Sequence, residues 1–97
     1  MSTDIYLRRS PEATPVISKI ITSPTILNAM QHSLGISDEI RNKLIVSEVY
    51  IGRGRWVIVE ITEGKYEGEI AIPEVSTRDE ECLVFWLNRW KAGRDRE

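Results

Sequence analysis

The segment from residue 44 to residue 75 constrains the fold most, because β-branched and aromatic residues fill three short runs within it. The runs cover residues 44–51, 55–62 and 69–75, and turns that contain glycine separate them. Residues of these types favour strands. Turns this short join neighbouring strands in an antiparallel arrangement. The segment therefore predicts a three-stranded antiparallel meander.

The middle and last runs carry further positional information. Residues 55–62 are apolar on both faces, which predicts a central strand covered on each side. The last run contains Pro73, and a proline is tolerated in an edge strand. Upstream, the β-branched run at residues 16–21 is compatible with one additional N-terminal strand.

Two shorter helices are predicted before the meander. Ser23-Pro24 forms a helix start, since serine caps free amides and proline suits the first helical position. Gly35 can end that helix in the left-handed conformation. A second helix is expected at about residues 38–43, with Ser37 as its cap. The apolar stripe of the first helix comprises Ile26, Leu27, Met30 and Leu34.

A longer helix is predicted over residues 78–91, because Thr77 and Glu80 have the spacing of a capping box before an apolar run. A helical projection places Val84 and Phe85 outside its main apolar face. One apolar face is enough to dock a helix on a sheet. That face comprises Cys82, Leu83, Trp86, Leu87 and Trp90.

These elements predict one α+β domain, in which the meander packs against a C-terminal helix and two short N-terminal helices. We expect an extended arm at residues 1–15, the domain at residues 16–93 and a charged tail at residues 94–97. The 97 residues are 41% hydrophobic and 29% charged, a composition typical of a folded domain.

Net charge and the distribution of apolar residues indicate which partners and which cellular location to expect. A net charge of −2 does not make the whole domain a match for nucleic acid. No apolar run approaches the roughly 20 residues needed to span a bilayer, and no signal peptide is visible. Cys82 is the only cysteine. We therefore expect a cytoplasmic protein without membrane contact.

No residue pattern predicts catalysis, a metal or a cofactor. His32 is the only histidine, so a catalytic triad or a multi-histidine metal site cannot form. It lies opposite the apolar stripe of its helix, which indicates an exposed side chain. The acidic residues of the second hairpin are interpreted as a solvated surface that discourages edge pairing. They are Glu60, Glu63, Glu67, Glu69 and Glu74.

The outer side of the last helix is the first candidate binding surface. Phe85, Arg89 and Trp90 lie near the end of the chain, and interfaces are enriched in Phe, Trp and Arg. We expect these residues to contact another protein or a second copy of the chain, as in a homodimer. The corresponding function is a small non-enzymatic interaction or regulatory module.

Two weaker patterns indicate an alternative partner. The Gly52-Arg53-Gly54-Arg55-Trp56 turn could present Arg53 and Arg55 to an anion, with Trp56 stacking on a base. The helix–Gly35–helix segment resembles a helix-turn-helix, with the downstream hairpin as a wing. Together they define the alternative function, a winged-helix-like nucleic-acid-binding protein. The acidic start of the second helix at Asp38 opposes phosphate binding.

Overall fold

The computed structural model describes residues 17–96, and side chains from residue 19 onward. Its four-stranded sheet is antiparallel throughout, with the strands in chain order. The strands are β1 (Ile17–Ile20), β2 (Ile45–Ile51), β3 (Gly54–Ile61) and β4 (Gly68–Pro73). The α+β meander and its additional N-terminal strand are therefore confirmed. The predicted arm at residues 1–15 lies outside the described residues.

Three α-helices and one 3₁₀ helix complete the described part of the chain. They are α1 (Pro24–Leu34), α2 (Asp38–Arg41), α3 (Glu80–Asp95) and the 3₁₀ helix Glu74–Thr77. Ser23 caps α1 by accepting from the amide of Ile26 at 3.3 Å, and Gly35 ends it at φ 68°. The predicted start and end of this helix are both confirmed.

Strand β3 is central, as predicted, with β2 on one side and β4 on the other. Val59 lies between Val46 and Ile70 across the two neighbouring strands. At the β2–β3 turn, Gly52 has φ 60°, a conformation that glycine adopts without strain. Edge placement of β4 accommodates the missing amide of Pro73.

The core lies between one face of the sheet and the pair α1 and α3. Alternation along β3 directs Val57, Val59 and Ile61 into this core. From the helices, the fully buried side chains are Ala29, Met30, Leu83 and Leu87. This single interface buries the apolar stripe of α1 as its spacing predicts.

The second face of the central strand, which points away from the helices, is partly covered. Trp56 and Ile58 point away from the helices and remain half-buried outside the core cluster. Val49, which lies opposite Trp56 on the same face, is buried.

The start of α3 also differs from the prediction. Asp79 is the cap, and its carboxylate accepts from the amide of Cys82 at 2.9 Å. Thr77 instead belongs to the 3₁₀ helix, where its hydroxyl donates to the carbonyl of Glu74 at 2.7 Å. The helix continues past Lys91 to Asp95. The helix is therefore about one turn longer at its C-terminal end than predicted.

Candidate functional site

A groove of about 790 Å³ runs along the outer side of α3, where the 3₁₀ helix flanks it. We call it the outer groove. Its position follows from Pro73, after which the chain leaves the sheet edge and turns back beside α3. The residues that line it are Val75, Ser76, Glu81, Cys82, Phe85, Trp86, Arg89 and Trp90. All three residues predicted to bind a partner, Phe85, Arg89 and Trp90, therefore lie together in this groove.

Two apolar side chains of the outer groove are largely exposed. Phe85 is 65% exposed and Val75 is 74% exposed. Phe85 points outward because it follows Leu83 by about half a helical turn, and Leu83 is fully buried. Single exposed apolar residues are common, whereas a contiguous patch marks an interaction surface. Sequence reasoning missed Val75, because it assigned this residue to the last strand.

The two tryptophans of the outer groove form its firmer wall. Trp86 and Trp90 are both half-buried and pack against the core. The Trp90 ring lies 5.7 Å from the ring of Tyr66, and the guanidinium of Arg94 lies 5.5 Å from Trp90. Trp90 is thus held by its own domain on one side and reaches the groove with the other.

Charged residues of opposite sign lie at the two ends of the apolar patch. Glu81 precedes Phe85 by one turn and Arg89 follows it by one turn, and both are exposed. The guanidinium of Arg89 lies 5.8 Å from the centre of the Phe85 ring. Among the described residues, neither Glu81 nor Arg89 belongs to an ion pair.

Cys82 lies in the outer groove at the first turn of α3, half-buried instead of buried as its projection suggested. Its amide donates to Asp79, and this hydrogen bond lowers the pKa of the Asp79 carboxyl. The guanidinium of Arg78 lies 3.5 Å from the Cys82 sulfur, and this contact raises the pKa of Arg78. These interactions stabilise the helix start. His32 is exposed on α1, where its Nδ1 lies 4.0 Å from a carboxylate oxygen of Glu80.

A second depression of about 350 Å³ lies on the other side of Phe85, between α1 and α3. Its lining includes His32, Val84 and Asn88. Val84 is half-buried against the core, although the projection placed it outside the apolar face. The reason is that α1 packs along this side of α3. Phe85 is consequently a ridge with a depression on each side.

The predicted anion-binding residues do not converge. Arg55 forms ion pairs with Glu74 at 2.6 Å and Glu48 at 3.2 Å. A hydrogen bond with Tyr50, together with the contact to Glu74, raises the pKa of Arg55. Trp56, the next residue along β3, points to the opposite face of the sheet. Arg53 is exposed in the turn.

The segment predicted as a helix-turn-helix has a short second helix that packs on the first. Helix α2 contains only four residues. The Gln31 amide of α1 donates to Asp38 at 2.7 Å, and Arg41 donates to Gln31 at 2.7 Å. These contacts hold the side chains of Asp38 and Arg41 against α1.

The described part of the chain has neither a metal-binding cluster nor a helix that could span a membrane. Residues 17–96 contain no group of three or more His, Cys, Asp or Glu side chains that could hold a metal ion. No helix in that range has the length and apolar character needed to cross a membrane.

Comparisons of the chain with protein-family models, curated proteins and solved structures found no match.

Proposed function

We propose that this domain is a small non-enzymatic interaction or regulatory module that binds a protein partner through the outer groove. The observation that carries the proposal is the exposure of Phe85 and Val75 beside two tryptophans. Burying a phenylalanine side chain is worth roughly 1.5–3 kcal/mol. A partner that covers this groove would recover much of that free energy.

The composition of the outer groove supports a protein partner in preference to other ligands. Interface centres are enriched in Trp, Phe and Arg, and residues of this kind dominate binding free energies. Phe85, Trp86 and Trp90 supply the aromatic surface, while Arg89 supplies a charged edge. A rim charge of this kind contributes to orientation and selectivity more than to affinity.

The winged-helix alternative has less support from the same geometry. Helix α2 is a single turn, and Arg55 is already paired with two carboxylates. Nucleic-acid binding would need several cations free to contact phosphates. We therefore place the functional surface on α3.

Site-specific photo-crosslinking tests the proposal. A benzophenone amino acid replaces Phe85 in the full chain, which is then irradiated in cells that naturally contain the protein. A second version carries the probe at Glu67, which is exposed in the β3–β4 hairpin and lies outside the outer groove. We expect a discrete protein adduct from position 85 that position 67 does not give. Identical adducts from both positions, or none from position 85, would contradict the proposal.

A further inference from the structure

We infer that the partner at the outer groove is a second copy of this chain, with the two α3 helices antiparallel across a two-fold axis at Phe85. This inference rests on the proposed function and specifies the partner at the same surface. It is carried by the arrangement of charge and shape around Phe85.

The charges on α3 are complementary to themselves when the helix is reversed. Glu81 and Arg89 lie four residues before and four residues after Phe85, which corresponds to about 6 Å along the helix in each direction. A two-fold axis at Phe85 therefore places Glu81 of one copy opposite Arg89 of the second copy, and the reverse. Two intermolecular ion pairs then flank a central aromatic contact.

A parallel arrangement of the same helices would lose this complementarity. Glu81 would face Glu81 of the second copy, and Arg89 would face Arg89. Like charges placed together across an interface are unfavourable. The charge pattern thus favours the antiparallel arrangement over the parallel one.

The shape of the surface is also self-complementary. Phe85 is a ridge between the outer groove and the second depression beside α1. Helices pack by inserting the ridges of one into the grooves of the other. In a two-fold dimer each copy supplies both parts, as an isologous interface requires, so the two Phe85 rings lie side by side at the axis and each packs against a depression of the second copy. The exposed Val75 on the wall of the outer groove extends the apolar area beyond the two rings.

Charge reversal tests the arrangement in the full chain. Glu81→Arg and Arg89→Glu each place like charges opposite each other twice in the symmetric dimer. We expect each variant to weaken self-association by roughly tenfold or more, as judged by sedimentation velocity over a range of concentrations. The matched controls are Glu67→Arg and Arg53→Glu, which make the same charge changes at exposed positions outside the outer groove. Circular dichroism verifies that every variant is folded.

A charge-swap rescue experiment provides the decisive measurement. An equal mixture of Glu81→Arg and Arg89→Glu chains restores opposite charges at both positions, and so does the double variant. We expect the dimer dissociation constant to lie within about threefold of that of the unaltered chain, both for the mixture, which forms a heterodimer, and for the double variant. A merely destabilised helix would not recover in this way.

Two outcomes would overturn the inference. One is an unaltered chain that remains monomeric at all concentrations, and the other is dimerisation that neither charge reversal affects. If the chain is monomeric but the probe at Phe85 crosslinks to a different protein, the proposed function stands and the second copy is excluded as the partner. If neither experiment shows binding at Phe85, both proposals fail.

Discussion

The hydroxyl of Ser33 donates to the side-chain oxygen of Asn88 at 2.6 Å, and this hydrogen bond joins α1 to α3. The carbonyl of the same Ser33 accepts from the ammonium of Lys91 at 2.7 Å. Ser33 is only 5% exposed, so its hydroxyl depends on this partner. Because Asn88 and Lys91 lie on the α1-facing side of α3, the two contacts fix the rotation of that helix. Phe85 consequently faces outward.

The first prediction concerns the Ser33–Asn88 hydrogen bond. Ser33→Ala should lower the free energy of unfolding by about 1 kcal/mol, since a typical intramolecular hydrogen bond contributes roughly 0.5–1.5 kcal/mol. Chemical denaturation of Ser33→Ala, Asn88→Ala and the double variant forms a mutant cycle. We expect the two substitutions to be coupled, because each removes the same interaction. A cycle with Thr62→Ala in place of Asn88→Ala should be additive. A coupling energy of zero between Ser33 and Asn88 would contradict the contact.

The second prediction is a pH dependence at the start of α3. The hydrogen bond from the Cys82 amide holds the pKa of Asp79 below its ordinary value. A depressed pKa in the folded state stabilises the protein at pH values above the pKa of the unfolded chain, which is about 3.9 for aspartate. That stabilisation is lost as the pH falls through the folded pKa.

Asp79→Asn tests this dependence, because asparagine can still cap the helix but does not ionise. Denaturant midpoints of both chains are measured from neutral to acidic pH. The advantage of the unaltered chain should shrink as the solution is acidified. Glu67→Gln, which also removes one carboxylate, is the control. If the difference between the unaltered chain and the Asp79→Asn variant stays constant with pH, the capping carboxylate does not titrate as described.

The parts of the fold that the sequence predicted depend on local signals. Gly52 at positive φ and the capping serine at position 23 act within a few residues, so their positions can be read from the chain. The predicted start of α3 was wrong, because Thr77 and Asp79 are both residue types that cap helices. Only the path of the chain after Pro73, which places Thr77 in the 3₁₀ helix, decides between them. The environment of Val84 depends on α1, which lies some fifty residues earlier, and no local pattern encodes that contact.

The candidate site was likewise predictable where local periodicity places its residues, but not where tertiary contacts do. Phe85, Arg89 and Trp90 share one region of a single helix, so helical periodicity brings them together. Val75 joins them only because the chain turns back after β4, which is a tertiary feature. Conversely, Arg55 and Trp56 are adjacent in sequence, but strand alternation separates them onto opposite faces.

The third prediction separates the two arginines of the β2–β3 turn. Arg55→Ala should lower the denaturation midpoint, because it leaves Glu48 and Glu74 without their shared cation. Arg53→Ala should not, because Arg53 forms no ion pair within residues 17–96. The effect at Arg55 should decrease in high salt, which screens exposed charges. Equal effects of the two substitutions would show that the Arg55 contacts contribute nothing. We also expect no binding of single-stranded DNA at low salt by the unaltered chain.

The last prediction contrasts two residues of α3 whose side chains point in opposite directions, one into the core and one outward. Leu83 is fully buried and Phe85 is 65% exposed. Leu83→Ala should cost about 2–5 kcal/mol of folding free energy, because it removes buried methyl groups and leaves a cavity. Phe85→Asp should change the stability of the monomer by less than about 0.5 kcal/mol, as surface substitutions generally do. Denaturation is followed at low protein concentration, where association does not add to stability.

The same Phe85→Asp chain should fail to associate, because it places two carboxylates at the centre of the proposed two-fold contact. Light scattering at increasing concentration should therefore give the monomer mass for Phe85→Asp and a rising mass for the unaltered chain. Phe85→Leu, which keeps an apolar side chain, should retain partial association. If Phe85→Asp unfolds the domain as Leu83→Ala does, Phe85 belongs to the core and the outer groove is not a binding surface. A folded Phe85→Asp chain that still dimerises would place the self-contact elsewhere on the molecule.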